Sequence, residues 1–342
     1  MNNLSNMVRP RVYVSRRIQD SALRLLREHC DVELHDSDHP APRSILVKSL
    51  EDKDAALILL GDRIDRGVLE KAGRLKVVST MSAGYDHIDL KEATARGVYV
   101  ANVPGVLTDA VAEFALALLF AVARRVVEAD RFLRSGSWKI AWSPMFMLGS
   151  EISGRTLGII GLGAIGKALA RRARGLGMRV VYFSRTRKPD VEAELGVSYR
   201  TLDELLRESD FIVLSTALTP ETVKMIGERE LRSMKPSSYL VNVSRGAVVD
   251  EKALVKALKE GWIAGAALDV FEKEPIDSGN PLVSMDNVVL TPHMASATFE
   301  ARRRLAEKAA ENILSVLRGE APPSLLNPEV AKVKPLERVR ML

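Results

Sequence analysis

Five histidines occur in the 342 residues, and His293 differs from the rest because it follows the apolar run Val288 to Leu290 through Thr291-Pro292. Histidine titrates near neutrality, and open α/β sheets bind ligands at the carboxyl ends of their strands. A histidine there is a candidate general acid or base. His29, His35, His39 and His87 lie in polar N-terminal segments and read as surface or cap residues. Two more charged residues follow strand-like runs: Arg245, in Asn242-Val243-Ser244-Arg245-Gly246, and Glu274, ahead of Pro275. A cation that grips a carboxylate and polarises a carbonyl, an acid that protonates the forming alkoxide, and a partner that tunes the acid together suit the reduction of a 2-oxo acid. Spacing alone does not bring Glu274 to His293.

Such a reduction needs a hydride donor. Gly161, Gly163 and Gly166, with Leu162, Ala164 and Ile165 between them, form G-x-G-x-x-G after the apolar run Thr156 to Ile160 and open a helical pattern, Ala164 to Leu176. The first glycine permits a tight turn, the second lets a pyrophosphate approach the backbone, and the third allows close helix–strand packing. The helix N-terminus then offers N–H groups and partial positive charge to the phosphates. A nucleoside-triphosphate P-loop fails here, because Ala168 stands where a serine or threonine should bind magnesium. The next strand ends Ser184-Arg185-Thr186 with no acid to bind ribose hydroxyls, so NADP(H) is favoured and NAD(H) stays possible.

These groups need strands to carry them. Apolar runs alternate with helical patterns: Arg11 to Ser15, Ala56 to Leu60, Val77 to Thr80 and Val98 to Ala101, then a second set from Thr156 to Leu290. The fold expected is α/β with mostly parallel sheets. Long helical patterns at about Asp109–Leu133 and Ala297–Arg318 flank the second set and suggest a discontinuous outer domain. The expected division is 1–101 as the first part of a substrate domain, 102–292 as a nucleotide-binding domain, and 293–342 as the substrate domain's C-terminal part.

Composition narrows the remaining classes. The longest apolar stretch, Phe114 to Ala123, is well short of the roughly 20 residues of a membrane helix, and Met1 to Pro10 lacks a secretory core. A single cysteine, Cys30, excludes an internal disulfide and makes a Cys/His metal site hard to assemble; no metal is expected, and the cytoplasm fits. Net charge is +6 with the basic residues dispersed, which argues against nucleic acid and favours anionic small molecules. Gln19 is the only glutamine among abundant charged residues, a thermophile-like balance.

With Ser82-Ala83-Gly84-Tyr85-Asp86, the Gly161 fingerprint, Leu218-Thr219-Pro220-Glu221-Thr222, Asn242 to Asp250, Asp269 to Pro275 and Thr291-Pro292-His293 in this order, the chain resembles the D-isomer-specific 2-hydroxyacid dehydrogenases. The similarity runs from about Arg11 to Asn327 and is greatest to the archaeal glyoxylate/hydroxypyruvate reductase branch. It implies two Rossmann-like or flavodoxin-like domains and a small 2-oxo acid substrate. It assigns Arg245 to substrate binding, His293 to acid/base duty and Glu274 to the hydrogen bond that raises the histidine pKa. By the same resemblance Ser82, Ala83 and Gly84 hold the substrate carboxylate, Leu60 lines the pocket and Asp269 holds the nicotinamide carboxamide. Thr108, Thr222, Val243, Ser244 and Ala295 adjoin the cofactor. A homodimer is implied, with Trp138 and Trp142 in a segment that in relatives makes dimer contacts and caps the partner's site; ordinary packing is the alternative. Ala217 and Ala295 replace a proline and a glycine common in the family. Two other readings stay open: a dehydrogenase of another D-2-hydroxy acid, and a nucleotide-sensing corepressor-like binding protein.

Overall fold

The computed structural model describes residues 9–342; Met1 to Val8, within the stretch read as lacking a secretory core, lies outside the described residues. The chain divides into two compact units, residues up to Leu107 with Thr298–Leu342, and Thr108–Ala297. Residues 102–107 thus join the first unit and residues 293–297 the second, which corrects the expected boundaries. Hydrogen bonds account for both shifts: Val103 N–H donates to Ser82 O at 2.9 Å, and His293 N–H to Asp269 O at 2.8 Å.

In the first unit β1 (Arg11–Val14), β2 (Asp31–Leu34), β3 (Ala55–Ile58), β4 (Val77–Thr80) and β5 (Tyr99–Ala101) form one sheet in the order β2-β1-β3-β4-β5. Every pairing is parallel. The strands β3 and β4 are buried at all four positions, as expected of a parallel sheet covered on both faces. The edge strand β2 alternates exposed and half-buried residues, so its apolar signal was too weak to be anticipated.

The C-terminal helix Phe299–Leu317 returns to this sheet. Its Leu305, Ala309, Ile313 and Leu317 recur every fourth residue and join a core with Val12, Leu57 and Val77. Beyond it, buried Asn327 fastens the chain end: its Oδ1 accepts from Val100 N–H at 2.9 Å, and its Nδ2 donates to Val98 O and Thr94 Oγ1, both at 2.9 Å. Substituting Asn327→Ala leaves buried backbone groups unmet and is expected to cost about 2–3 kcal/mol in denaturant unfolding. A loss under about 0.5 kcal/mol would contradict this role.

In the second unit β6 (Thr156–Ile160), β7 (Arg179–Phe183), β8 (Ser198–Tyr199), β9 (Phe211–Leu214), β10 (Tyr239–Asn242), β11 (Gly265–Leu268) and β12 (Val288–Leu290) form a second sheet. Its order is β12-β11-β10-β9-β6-β7-β8, all parallel. The order reverses between β6 and β9, the crevice where doubly wound sheets take their ligands. The helix expected over 109–133 is two helices, Thr108–Ala123 and Val126–Arg134. The break falls at Arg125, whose φ is 54° and whose guanidinium makes two bonds to Glu128, at 2.6 and 2.8 Å. No glycine or proline marks it in the sequence. Among the described residues no helix is long and apolar enough to cross a membrane, and no three metal-ligating side chains cluster.

Candidate active site

At the switch point, the loop after β6 has the shape that its glycines demand. Gly161 has φ 102°, and a Cβ there would stand 2.8 Å from the Ser215 and Thr216 backbone. At Gly166 a Cβ would come within 2.2 Å of Gly161 O, whereas at Gly163 it would meet nothing within 4 Å. Backbone packing thus excludes side chains at the first and third glycines, while the second faces open space. Ser215 Oγ, which sequence reading missed, donates to Gly161 O at 2.7 Å and fixes the turn. The helix Ala164–Gly175 begins after Gly163 with no side-chain cap, so its first N–H groups remain for an anion.

A cavity of about 420 Å³ opens beside this loop, bordered by Gly163, Ser184, Arg185, Thr186 and Thr222. Lys188 and Glu221, given no cofactor role from the sequence, also line it. Arg187 points elsewhere, with bonds of 2.8 and 2.9 Å to Glu192. That pairing, helped by the Tyr182 hydroxyl, brings the Glu192 carboxyl down to about 2 despite opposing desolvation. Arg185 and Lys188 are therefore the cations available to the cavity. A second cavity, about 310 Å³ between Arg125, Glu128 and Tyr239, lies at the amino ends of the strands and has none of these groups.

The ends of β11 and β12 carry the acid/base candidates. His293 has φ 51°, a left-handed conformation that costs a non-glycine residue about 1–3 kcal/mol and is retained where surroundings impose it. Here the surroundings are the Asp269 carboxylate, 1% exposed, which accepts from Thr291 Oγ1 at 2.6 Å and from the N–H groups of Met294 and Ala295, both at 2.8 Å. His293 Nδ1 lies 2.7 Å from Glu274 Oε2, and Glu274 Oε1 accepts from Phe271 N–H at 3.1 Å. Burial raises the Glu274 carboxyl pKa, but the hydrogen bond and charge of His293, the Phe271 N–H and the Arg245 charge prevail and hold it below its ordinary 4.5. Glu274 is thus a carboxylate that accepts the Nδ1 proton, and Nε2 is the imidazole's remaining proton-exchanging atom.

Arg245 follows β10 in a turn templated by Asn242. The Asn242 Oδ1 accepts from Ser244 N–H at 3.0 Å and Ser244 Oγ at 2.8 Å, and its Nδ2 donates to Arg245 O at 3.0 Å. At Gly246 a Cβ would stand 1.8 Å from the Phe271 carbonyl carbon, so glycine lets this turn pack on the segment leading to Glu274. Arg245, Glu274 and His293 are therefore grouped at one sheet edge.

Several residues expected at the cofactor make hydrogen bonds within the chain. Both Asp269 oxygens and the Ala295 N–H make hydrogen bonds within the His293 turn. Ser244, buried beside buried Val243, bonds to Asn242, and Thr222 Oγ1 donates to Ala217 O at 2.8 Å. Thr108 is half-buried at the start of its helix.

In the first unit, Leu60 is half-buried in the turn after β3. After β4 the Ser82–Gly84 turn directs its three carbonyls inward: Ser82 O accepts from Val103 N–H at 2.9 Å, Ala83 O from Asn102 Nδ2 at 2.6 Å, and Gly84 O from Ser82 Oγ at 2.6 Å. The N–H groups of Ala83 and Gly84 make no hydrogen bond among the described residues. His87, expected at the surface, is half-buried with Nε2 3.0 Å from Thr80 Oγ1.

The chain is similar to known proteins in sequence and in fold. The profile of the D-isomer specific 2-hydroxyacid dehydrogenase, NAD binding domain, matches residues 116–295. A glyoxylate reductase of Korarchaeum cryptofilum is 55% identical over 96% of this chain and 99% of its own. The crystal structure of a Thermus thermophilus protein, TT0316, matches with a TM-score of 0.88 and 46% identity over 92% of this chain and 99% of its own. A Sinorhizobium meliloti NADPH-dependent glyoxylate/hydroxypyruvate reductase, solved with NADP and malonate, matches with a TM-score of 0.82 and 33% identity over 94% and 98%. The full-length similarity and the nucleotide-binding unit together make this chain a member of the D-isomer-specific 2-hydroxyacid dehydrogenase family.

Proposed function

We propose that this protein reduces glyoxylate to glycolate, and hydroxypyruvate to D-glycerate, with NADPH preferred over NADH. The observation that carries the chemistry is the His293–Glu274 pair, 2.7 Å apart and aimed by a left-handed backbone at a sheet edge shared with Arg245. The glycine loop, with open space at Gly163 and no room for side chains at Gly161 and Gly166, fits a nicotinamide dinucleotide, which supplies the hydride when bound. In this reading Arg245 binds the substrate and polarises its carbonyl, and in the first unit the free Ala83 and Gly84 N–H groups offer a carboxylate cradle. The imidazolium of His293 releases its Nε2 proton to the carbonyl oxygen, and Glu274 keeps the ring oriented. Relatives named glyoxylate reductase support the substrate assignment. Turnover of glyoxylate, hydroxypyruvate and pyruvate compared at equal concentration tests it; preference for pyruvate would refute it.

Arg185 and Lys188, with Ser184 and Thr186, support the NADPH preference, because an added 2′-phosphate meets cations and donors there. Replacing Arg185→Asp is expected to weaken NADPH about tenfold to a hundredfold while changing NADH little, read as KM for each cofactor. Equal losses for both would show that Arg185 does not read the phosphate. Trp138, Ile140, Trp142 and Met145, 53–78% exposed, form an apolar surface that suits a second copy of the chain, which supports a homodimer. Buried Cys30, its thiol pushed up to about 11 by desolvation, suits a reducing compartment such as the cytoplasm.

A further inference from the structure

Beneath the Ser82–Gly84 turn runs a chain of side chains whose donor directions can be deduced. Gly84 O has no proton, so Ser82 Oγ donates to it at 2.6 Å. A hydroxyl has one proton, so Ser82 Oγ accepts from Thr80 Oγ1 at 2.8 Å. By the same count Thr80 Oγ1 accepts at 3.0 Å from His87, which therefore carries a proton on Nε2. Thr80 is 0% and Ser82 3% exposed, so water has little access to replace a missing partner. The far end of the chain, the 85–88 turn, is anchored by Ile64 N–H donating to His87 O at 3.0 Å.

We propose that His87 is a positioning residue for substrate carboxylate recognition: its Nε2–H sets the Thr80 and Ser82 hydroxyls so that the Gly84 carbonyl is held inward and the turn's N–H groups stay available. This rests on the reading that the Ser82–Gly84 turn binds the carboxylate. A half-buried imidazole three residues beyond the cradle thereby affects substrate affinity without touching substrate. A donor-directed chain of this kind is polarised from one end, so removing its first donor loosens every later link.

The test compares His87→Phe, which fills the space without a donor, with His87→Gln, which restores an N–H donor, and with Ala83→Pro, which deletes a cradle N–H. With NADPH and glyoxylate, His87→Phe is expected to raise KM about five- to tenfold, the worth of one ordinary hydrogen bond. Its kcat is expected to stay within about twofold and NADPH affinity by fluorescence to stay unchanged. His87→Gln is expected to recover most of the KM, and the ¹⁵N spectrum of labelled wild-type protein to show His87 protonated at Nε2. An unchanged KM in His87→Phe, or equal losses in both His87 variants with a lowered melting temperature, would overturn the proposal in favour of a purely structural role. If Ala83→Pro folds, turns over and keeps the wild-type KM, the carboxylate reading of the turn fails and the proposal with it. If Ala83→Pro raises KM but His87→Phe does not, only the role of His87 fails.

Discussion

Substituting His293→Ala is expected to lower kcat with glyoxylate by about 10²–10⁴, with NADPH binding largely retained. The magnitude follows from losing a positioned proton donor whose Nδ1 is oriented at 2.7 Å by a carboxylate that stays charged above its lowered pKa. The sign for pH follows from the same pair. Glu274 titrates below 4.5 in the folded protein, so its contribution to orienting the imidazole is fully present above that value and is lost as pH falls through the depressed pKa. Steady-state and single-turnover kinetics check this, the latter separating proton transfer from product release. A kcat within about tenfold of wild type would move the acid role to another group.

The second large effect is expected at Arg245. Exchanging it for methionine keeps much of the apolar stem and removes the charge and fork of donors, so kcat/KM for glyoxylate should fall about a hundredfold or more. Arg245→Lys should recover part of the charge and little of the planar geometry. Because Arg245 also helps to depress the Glu274 pKa, the methionine variant should let Glu274 titrate at higher pH. A binding experiment with oxalate, an anion without a reducible carbonyl, separates lost carboxylate affinity from lost polarisation. Undiminished oxalate affinity in Arg245→Met would show that Arg245 does not hold the carboxylate.

The parts of the fold visible in the sequence are those written in local pattern. The run Thr156 to Ile160 leading into Gly161, Gly163 and Gly166 is a strand, a turn and a helix start, and each glycine meets a local steric requirement. His293 was singled out because it follows β12 so closely. What escaped depends on long-range contact. Asn327 closes hydrogen bonds to β5 and its approach from 227–233 residues away, which no spacing reveals. Ser215 braces Gly161 from 54 residues away, and Thr80 makes His87 a buried-chain member although its neighbours are polar. Asp269 illustrates a subtler limit: three donors from the His293 turn, 22 to 26 residues away, converge on its carboxylate, and no spacing reveals that it braces the backbone of His293. The break at Arg125 was hidden for the converse reason, since an arginine in left-handed conformation needs the Glu128 pairing to sustain it.

Absorbance at 340 nm, followed after purified protein is mixed with glyoxylate and NADPH or, separately, NADH, tests the central claim most directly. The account predicts rapid loss of NADPH absorbance, slower loss with NADH at equal concentration, and loss of the signal in His293→Ala. Stable absorbance with both cofactors, for glyoxylate and hydroxypyruvate alike, would contradict it.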